Sequence, residues 1–256
     1  MPETPPTTAP HDSERWTEIE HLPEWDEKLY DVYTARKLGK WVMLKTLKKE
    51  YKDDPRFRSM IEKEFDVRYN LAHPAIVMIN DFEDVPGLGR CIITDDVYGK
   101  SLRRLIDEGS LTDLHVERIV TQMVEAMDYI QRNHIVHFPL RAETVIFTEE
   151  TGNLKLIDVG YDQCEHLSPT EAQDDIAAFG RVLSEALDNI KSPSAFYRRV
   201  ADRAAKGGYK SVHELRMALA HRSNMLLIVS IVAFIALMAV LLLWLSSALA
   251  PSAPIQ

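Results

Sequence analysis

The sequence predicts an α+β fold with strands concentrated in the first half and helices in the second, closed by a single C-terminal transmembrane helix. Three observations predict it. Short β-branched runs bounded by turn formers occupy residues 30–95 and return at Ile135–Val136, Thr144–Phe147 and Leu154–Ile157. Longer stretches with apolar residues at helical spacing fill most of the rest. The run Met225–Leu245, MLLIVSIVAFIALMAVLLLWL, carries no charged side chain.

Composition narrows the function classes. The chain has 256 residues, 46% of them hydrophobic, enough for one medium domain or two small lobes. A net charge of −9 without a broad basic face argues against nucleic acid. Cys91 and Cys164 are far apart, with no CxxC or histidine company, so they read as structural residues of a reduced compartment. Residues 1–14 are rich in proline and threonine. A disordered tail is expected over 1–20, with no signal peptide.

In chain order, Tyr30–Ala35 and Trp41–Leu47 read as two strands joined around Gly39. Asp54 is a good N-cap and Pro55 suits the first helical position. Phe57, Met60, Ile61 and Phe65 mark the stripe of the helix that follows. Glu64 lies on that stripe, and a buried carboxylate needs a partner, for which Lys45 is the natural choice. Cys91–Asp95 is a further strand. Gly99 is a linker, and Ser101 caps a short helix at Leu102–Asp107. Thr112–Asn133 is a long amphipathic helix with Leu114, Ile119, Met123, Met127 and Ile130 on its apolar stripe. After the three short strands, a helix begins near Asp175, and two more cover Ser194–Lys206 and Ser211–Ala220.

The stretch His134–Asp162 resembles the catalytic and metal-binding loops of eukaryotic-type protein kinases. The family writes HRDLKPEN and DFG where this chain writes HFPLRAET and DVG. WVMLKTL resembles the family's VAIK strand, and EFDVRYNLAHPAIV its helix C and HPNIV turn. The resemblance covers about residues 22–220 and implies a two-lobed protein-kinase-like fold: N-lobe and hinge over 21–98, compact C-lobe over 99–221. The overall layout is similar to bacterial serine/threonine kinases with one membrane span. It implies that Lys45 and Glu64 orient nucleotide phosphates and that Thr94 is the gatekeeper. It also implies that Asp95 and Val97 face an adenine from the hinge and that Asp158 holds Mg2+. ATP and Mg2+ are the cofactors such a cleft would take, and whether they are bound stays open.

The departures are as informative. Pro139 stands where the proton-accepting aspartate belongs, Thr144 where the metal-binding asparagine belongs, and Phe138 beside His137 replaces the arginine. Arg141 replaces the loop lysine, and Glu143 corresponds to a structural position. The phosphate-cradling glycines are Trp25, Glu27 and Tyr30, whose side chains prevent close backbone approach. Only Tyr161–Asp174 separate DVG from the next helix, too little for a segment that grips a peptide substrate, and Ser168 and Thr170 read as cap and turn residues. No intact catalytic set remains, so ordinary kinase activity is not expected. The expected function is a pseudokinase acting as scaffold or allosteric partner of other proteins. The alternative is residual or unorthodox phosphoryl or nucleotidyl transfer.

Residues 225–245 match the hydrocarbon thickness of a bilayer, at about 1.5 Å per residue. Lys210, Arg216, His221 and Arg222 flank one end, and the tail 246–256 is uncharged. The expected topology is a single-pass protein of the cytoplasmic membrane with its N-terminal domain inside and its C-terminus outside. Small residues at Ser230, Ala233, Ala236 and Ala239 would allow a homodimer.

Overall fold

A computed structural model describes residues 15–136, 140–160, 162–163, 165 and 168–248. It forms two compact units, divided after Val212.

The first unit opens with a five-stranded antiparallel sheet in the order β1-β2-β3-β5-β4. Its strands are β1 (Trp16–His21), β2 (Tyr30–Lys37), β3 (Lys40–Leu47), β4 (Ile79–Val85) and β5 (Gly89–Asp95). β1 corrects the disordered tail expected to reach residue 20. Trp16 is buried among Ala35, Leu44 and Ile93, which anchors an otherwise exposed edge strand. Residues 1–14 lie outside the described residues.

The alternation of β3 sets the site. Val42 and Leu44 pack on one face with Trp16 and Cys91. Leu47 packs on the other, against Ile61 of α1 (Pro55–Arg68). Lys45 shares the parity of Leu47 and so projects to the α1 side. Cys91 is buried, and burial pushes its thiol up to about 11, in keeping with a structural role. Cys164 lies outside the described residues.

β2 and β3 meet through a two-residue turn, Leu38–Gly39, with φ of 51° and 82°. Both positions are left-handed, as this hairpin type requires, and Leu38 is exposed. Leu38→Asn, which tolerates that backbone, is expected to stabilise the protein by about 0.5–1 kcal/mol, raising the midpoint of a thermal melt.

Asp54 caps α1 through the Arg56 N–H at 2.9 Å, as expected. The buried stripe is Ile61, Glu64, Val67 and Arg68, while Phe57 and Phe65 are half-buried beside it.

The helical lobe begins at Gly99. Gly99, expected to be a linker, opens the strand Gly99–Ser101 (β6), which pairs with β8 (Val145–Thr148); β8 also pairs with β9 (Leu154–Leu156). A Cβ on Gly99 would lie 2.2 Å from the Phe147 carbonyl oxygen, so only glycine fits this pairing. Ser101 caps α2 (Leu102–Asp107) through the Arg104 N–H. The long helix is α3 (Asp113–Arg118) and α4 (Val124–Arg132) around a π-turn at Ile119–Met123. Leu114 is exposed, correcting its place on the stripe. It sits five residues before Ile119, about 140° away on the helical wheel, and Val116 takes the buried position.

A two-stranded ladder joins β7 (Ile135–Val136) to β10 (Asp162–Gln163). The following helix, α5 (Pro169–Asp188), starts six residues earlier than expected. Ser168 and Glu171 form a capping box there, so Ser168 and Thr170 are cap and first-turn residues. Gly180 of α5 allows close contact with α6 (Ala195–Ala205), whose Ala205 nitrogen would stand 2.4 Å from a Cβ.

The second unit is mostly one helix, α7 (Val212–Ala248). The sequence suggested two helices, but neither glycine nor proline interrupts His221–Asn224, so the helix continues. Its described apolar side chains from Ile231 to Leu242 are exposed all round. Among the residues whose side chains are described, which within this helix leave out 221–229 and 243–248, no helix is long and apolar enough to cross a membrane.

Candidate functional site

The site is a charge cluster where β3, α1 and the loop after β9 converge. Lys45 Nζ donates to Glu64 Oε1 at 3.0 Å, the pair expected from the sequence. Two further groups close around it. Glu27 Oε1 lies 3.0 Å from the same nitrogen, and the Tyr30 ring centroid is 4.2 Å away. Arg68 Nη1 donates to Glu64 Oε1 at 2.6 Å, and its Nη2 donates to the Ile157 carbonyl at 2.9 Å. Arg68 was not anticipated. The available signal was its place one turn after Glu64.

Local structure aims Glu27 into the cleft. A 3-10 turn at Pro23–Trp25 follows β1. Asp26 then clasps the start of β2 by accepting from the Val32 N–H at 3.0 Å, and the Glu27 N–H donates to the Tyr30 carbonyl. The segment that would have been a glycine-rich phosphate loop is therefore a fixed turn.

Asp158 sits just beyond β9. Its Oδ1 accepts from the Gly160 N–H at 3.1 Å, a turn closed by Gly160 at φ 70°. Burial pushes its carboxyl up, but Lys45, Arg68, the Gly160 N–H and Arg141 outweigh that and hold it below the usual value. Thr144 is buried, and its hydroxyl donates to the Arg141 carbonyl at 3.1 Å within a local turn. Glu143 pairs with Arg103 at 3.0 Å, and Arg103 reaches Glu185 of α5 at 2.7 Å, a structural tie across the lobe. His137, Phe138 and Pro139 lie outside the described residues.

Thr94, Asp95 and Val97 line the cavity beside Lys45, together with Trp25, Glu27 and Ile157. The Asp95 carboxylate is taken up by Lys40 at 2.6 Å and Asn80 at 2.7 Å. The cavity holds about 60 Å³.

The two carboxylates on Lys45 titrate in opposite directions. Burial pushes Glu64 up, but Lys45 and Arg68 more than offset it and its carboxyl is held below the ordinary value. Burial also pushes Glu27 up, and there Lys45 does not fully compensate, so its carboxyl stays raised. A lowered carboxyl contributes stability above its unfolded value, near 4.5, that is lost as pH falls through the folded value. A raised one contributes stability below 4.5 that is lost as pH rises through the folded value. Urea midpoints measured from pH 4 to 7 are therefore expected to diverge. Relative to the unsubstituted protein, Glu64→Gln loses ground as pH rises and Glu27→Gln gains it.

The protein kinase domain family model matches residues 30–177, more than half of the chain and all of Lys45, Glu64 and Asp158. The chain belongs to the protein kinase family. Among curated relatives, serine/threonine-protein kinase PknD of Mycobacterium tuberculosis is 30% identical over 122 residues, 47% of this chain and 18% of PknD. Serine/threonine-protein kinase 36 of Pongo abelii is 29% identical over 121 residues, 47% of this chain and 9% of that protein. The chain thus spans under a fifth of the length of these two relatives. The crystal structure of the Mycobacterium tuberculosis PknI kinase domain superposes with a TM-score of 0.59 at 21% identity, covering 81% of this chain and 96% of that one. That likeness establishes the two-lobed kinase-like fold.

Protein kinases as a family use ATP and Mg2+, and the residues here do not fit that group. Ligand pockets are typically about 300–1,000 Å³, and this cleft offers about 60 Å³. Glu27 occupies the lysine that would meet phosphate oxygens. The residue in the position of the second metal ligand, Thr144, is turned to Arg141.

Proposed function

We propose that this chain is a membrane-anchored pseudokinase that works as a scaffold or allosteric signalling partner of other proteins. The observation that carries the proposal is Glu27 seated on Lys45 in a cleft of about 60 Å³. In phosphoryl transfer nearly all of the catalysis comes from positioning and from charges that meet phosphate. Here the positioning lysine is already neutralised by two carboxylates of the chain itself. The sequence adds Pro139, which has neither a carboxylate nor an amide hydrogen, and α5 begins at Pro169, leaving little chain to grip a substrate.

The anchor is the 225–245 portion of α7. Its uninterrupted apolar sequence and the exposure of its described side chains on every face support a span, since a helix apolar all round is either buried or in lipid. The positive flank at Lys210–Arg222 supports a topology with residues 1–224 in the cytoplasm and the tail outside. A homodimer through the small residues at 230, 233, 236 and 239 is compatible with this arrangement.

The second reading, residual transfer activity, draws on the intact Lys45–Glu64 contact with Asp158 close enough to feel both Lys45 and Arg68. Thermal melts of the full chain in non-ionic detergent with ATP and Mg2+ or Mn2+ separate the two. No shift beyond about 1 °C is expected, because stabilisation requires ligand in excess of its Kd. No labelled phosphate is expected on the protein or on generic substrates. A shift lost in Lys45→Ala, with labelled transfer lost in Asp158→Ala, would overturn the pseudokinase reading.

A further inference from the structure

Among the described residues, a cavity larger than the cleft beside Lys45 lies elsewhere in the first unit. A groove of about 770 Å³ opens among three segments of the first unit: residues 72–78 after α1, the hinge 95–98, and the β8–β9 turn with its flanks, 148–155. It shares Val77, Asp95 and Val97 with that cleft, and its other lining residues are its own.

The three walls are tied to one another by backbone. The Val77 N–H donates to the Leu156 carbonyl at 2.9 Å, and the Leu156 N–H to the Ala75 carbonyl at 2.8 Å. The Glu149 N–H donates to the Tyr98 carbonyl at 3.2 Å. The groove is therefore built into the fold and needs no rearrangement to exist. Its apolar side holds Met78 and Tyr98, which line the same groove and are 48% and 58% exposed. Its charge is one-sided. Asp96, Glu149 and Glu150 line it, against Lys155 alone. Asp95 is balanced by Lys40, and burial keeps His73 below its ordinary value and so uncharged at neutral pH.

We propose that this groove is a docking site for a basic segment of a partner protein, one that places lysine or arginine against Asp96, Glu149 and Glu150 and an aliphatic side chain against Met78 and Tyr98. An acidic wall raises the association rate and selectivity for cations. Two exposed apolar side chains in a preformed hollow supply the desolvated anchor that charge alone does not. The proposal goes beyond the pseudokinase reading, since the groove does not involve Lys45, Glu64 or Asp158.

The test is fluorescence anisotropy with the full chain in non-ionic detergent. The probes are a labelled seven-residue peptide alternating lysine and leucine, and its glutamate–leucine counterpart. Saturable binding of the lysine peptide and none of the glutamate peptide is expected. Glu149→Lys with Glu150→Lys is expected to weaken binding at least tenfold. The same charge change on exposed residues elsewhere, Glu50→Lys with Asp53→Lys, is expected to weaken it less than twofold. Tyr98→Ala should also weaken binding, and Lys45→Ala should not, so failure here is distinct from failure of the pseudokinase reading. Equal loss from both reversals, binding of the glutamate peptide, or no binding at all would overturn the proposal. So would self-association abolished by the Glu149/Glu150 reversal, which would assign the groove to a second copy of the chain.

Discussion

Replacing Glu64 with alanine is expected to destabilise the first unit by roughly 3–5 kcal/mol, the range for removing one member of a buried ion pair. Glu64 is fully buried and is the direct partner of two cations, Lys45 at 3.0 Å and Arg68 at 2.6 Å. Lys45 keeps Glu27 when Glu64 is lost. Arg68 is almost completely buried and is left with only the Ile157 carbonyl among its described contacts. The cost therefore falls mainly on a buried guanidinium that has lost its ion-pair partner and keeps only the longer-range attraction of Asp158 and Glu27. For a domain of about 150–250 residues this corresponds to a fall of roughly 6–20 °C in Tm. Glu64→Leu combined with Arg68→Met is the control. Replacing a buried pair by apolar side chains is often neutral, so the double variant should regain most of the lost stability. If Glu64→Ala alone melts within about 2 °C of the unsubstituted protein, the cluster is not what holds α1 to the sheet.

How much of this was legible in the sequence depended on whether one residue or a local geometry carried the information. The Lys45–Glu64 contact was legible, because a carboxylate on a helical stripe needed a partner and the resemblance to the kinase strand and helix C pointed to the same pair. Arg68 was hidden, since a cation in the last turn of a helix is ordinarily a solvated cap. β1 was hidden because WTEIEH buries a single residue, so its alternation is invisible without the partner strand. Leu114 was misplaced by counting it onto a stripe that Val116 opens; five residues before Ile119, it points about 140° away. The junction at His221–Asn224 looked like a break because it is polar, yet nothing in it stops a helix. Glu27 was half legible. Its charge at a glycine position was visible, but its grip on Lys45 depends on the 3-10 turn and the Asp26 clasp, neither of which leaves a periodic signal.

Replacing Glu27 with glycine is expected to raise the affinity of the cleft for ATP. The carboxylate's contribution to folding is small or adverse at neutral pH, since burial keeps its carboxyl raised in spite of Lys45. A group held where stability does not require it is a sign of function rather than of folding. Removing one negative charge about 4 Å from an incoming phosphate is worth up to roughly 4 kcal/mol at an effective dielectric near 20. Screening will reduce that, so a gain of about thirtyfold or more is the expected result. Glycine also clears the side chain from a cavity of about 60 Å³ that is far too small as it stands. The measurement is the Tm of Glu27→Gly with ATP and Mg2+ or Mn2+. A shift of several degrees is expected, abolished by adding Lys45→Ala, which removes the cation that phosphate would meet. Labelled transfer should remain absent, because Pro139 supplies no proton acceptor whatever the cleft holds. Silence in Glu27→Gly would show that Trp25 and Tyr30 close the cleft without help from the charge. A shift as large without the substitution would show that Glu27 yields to phosphate unaided, and the cleft would then be a nucleotide switch.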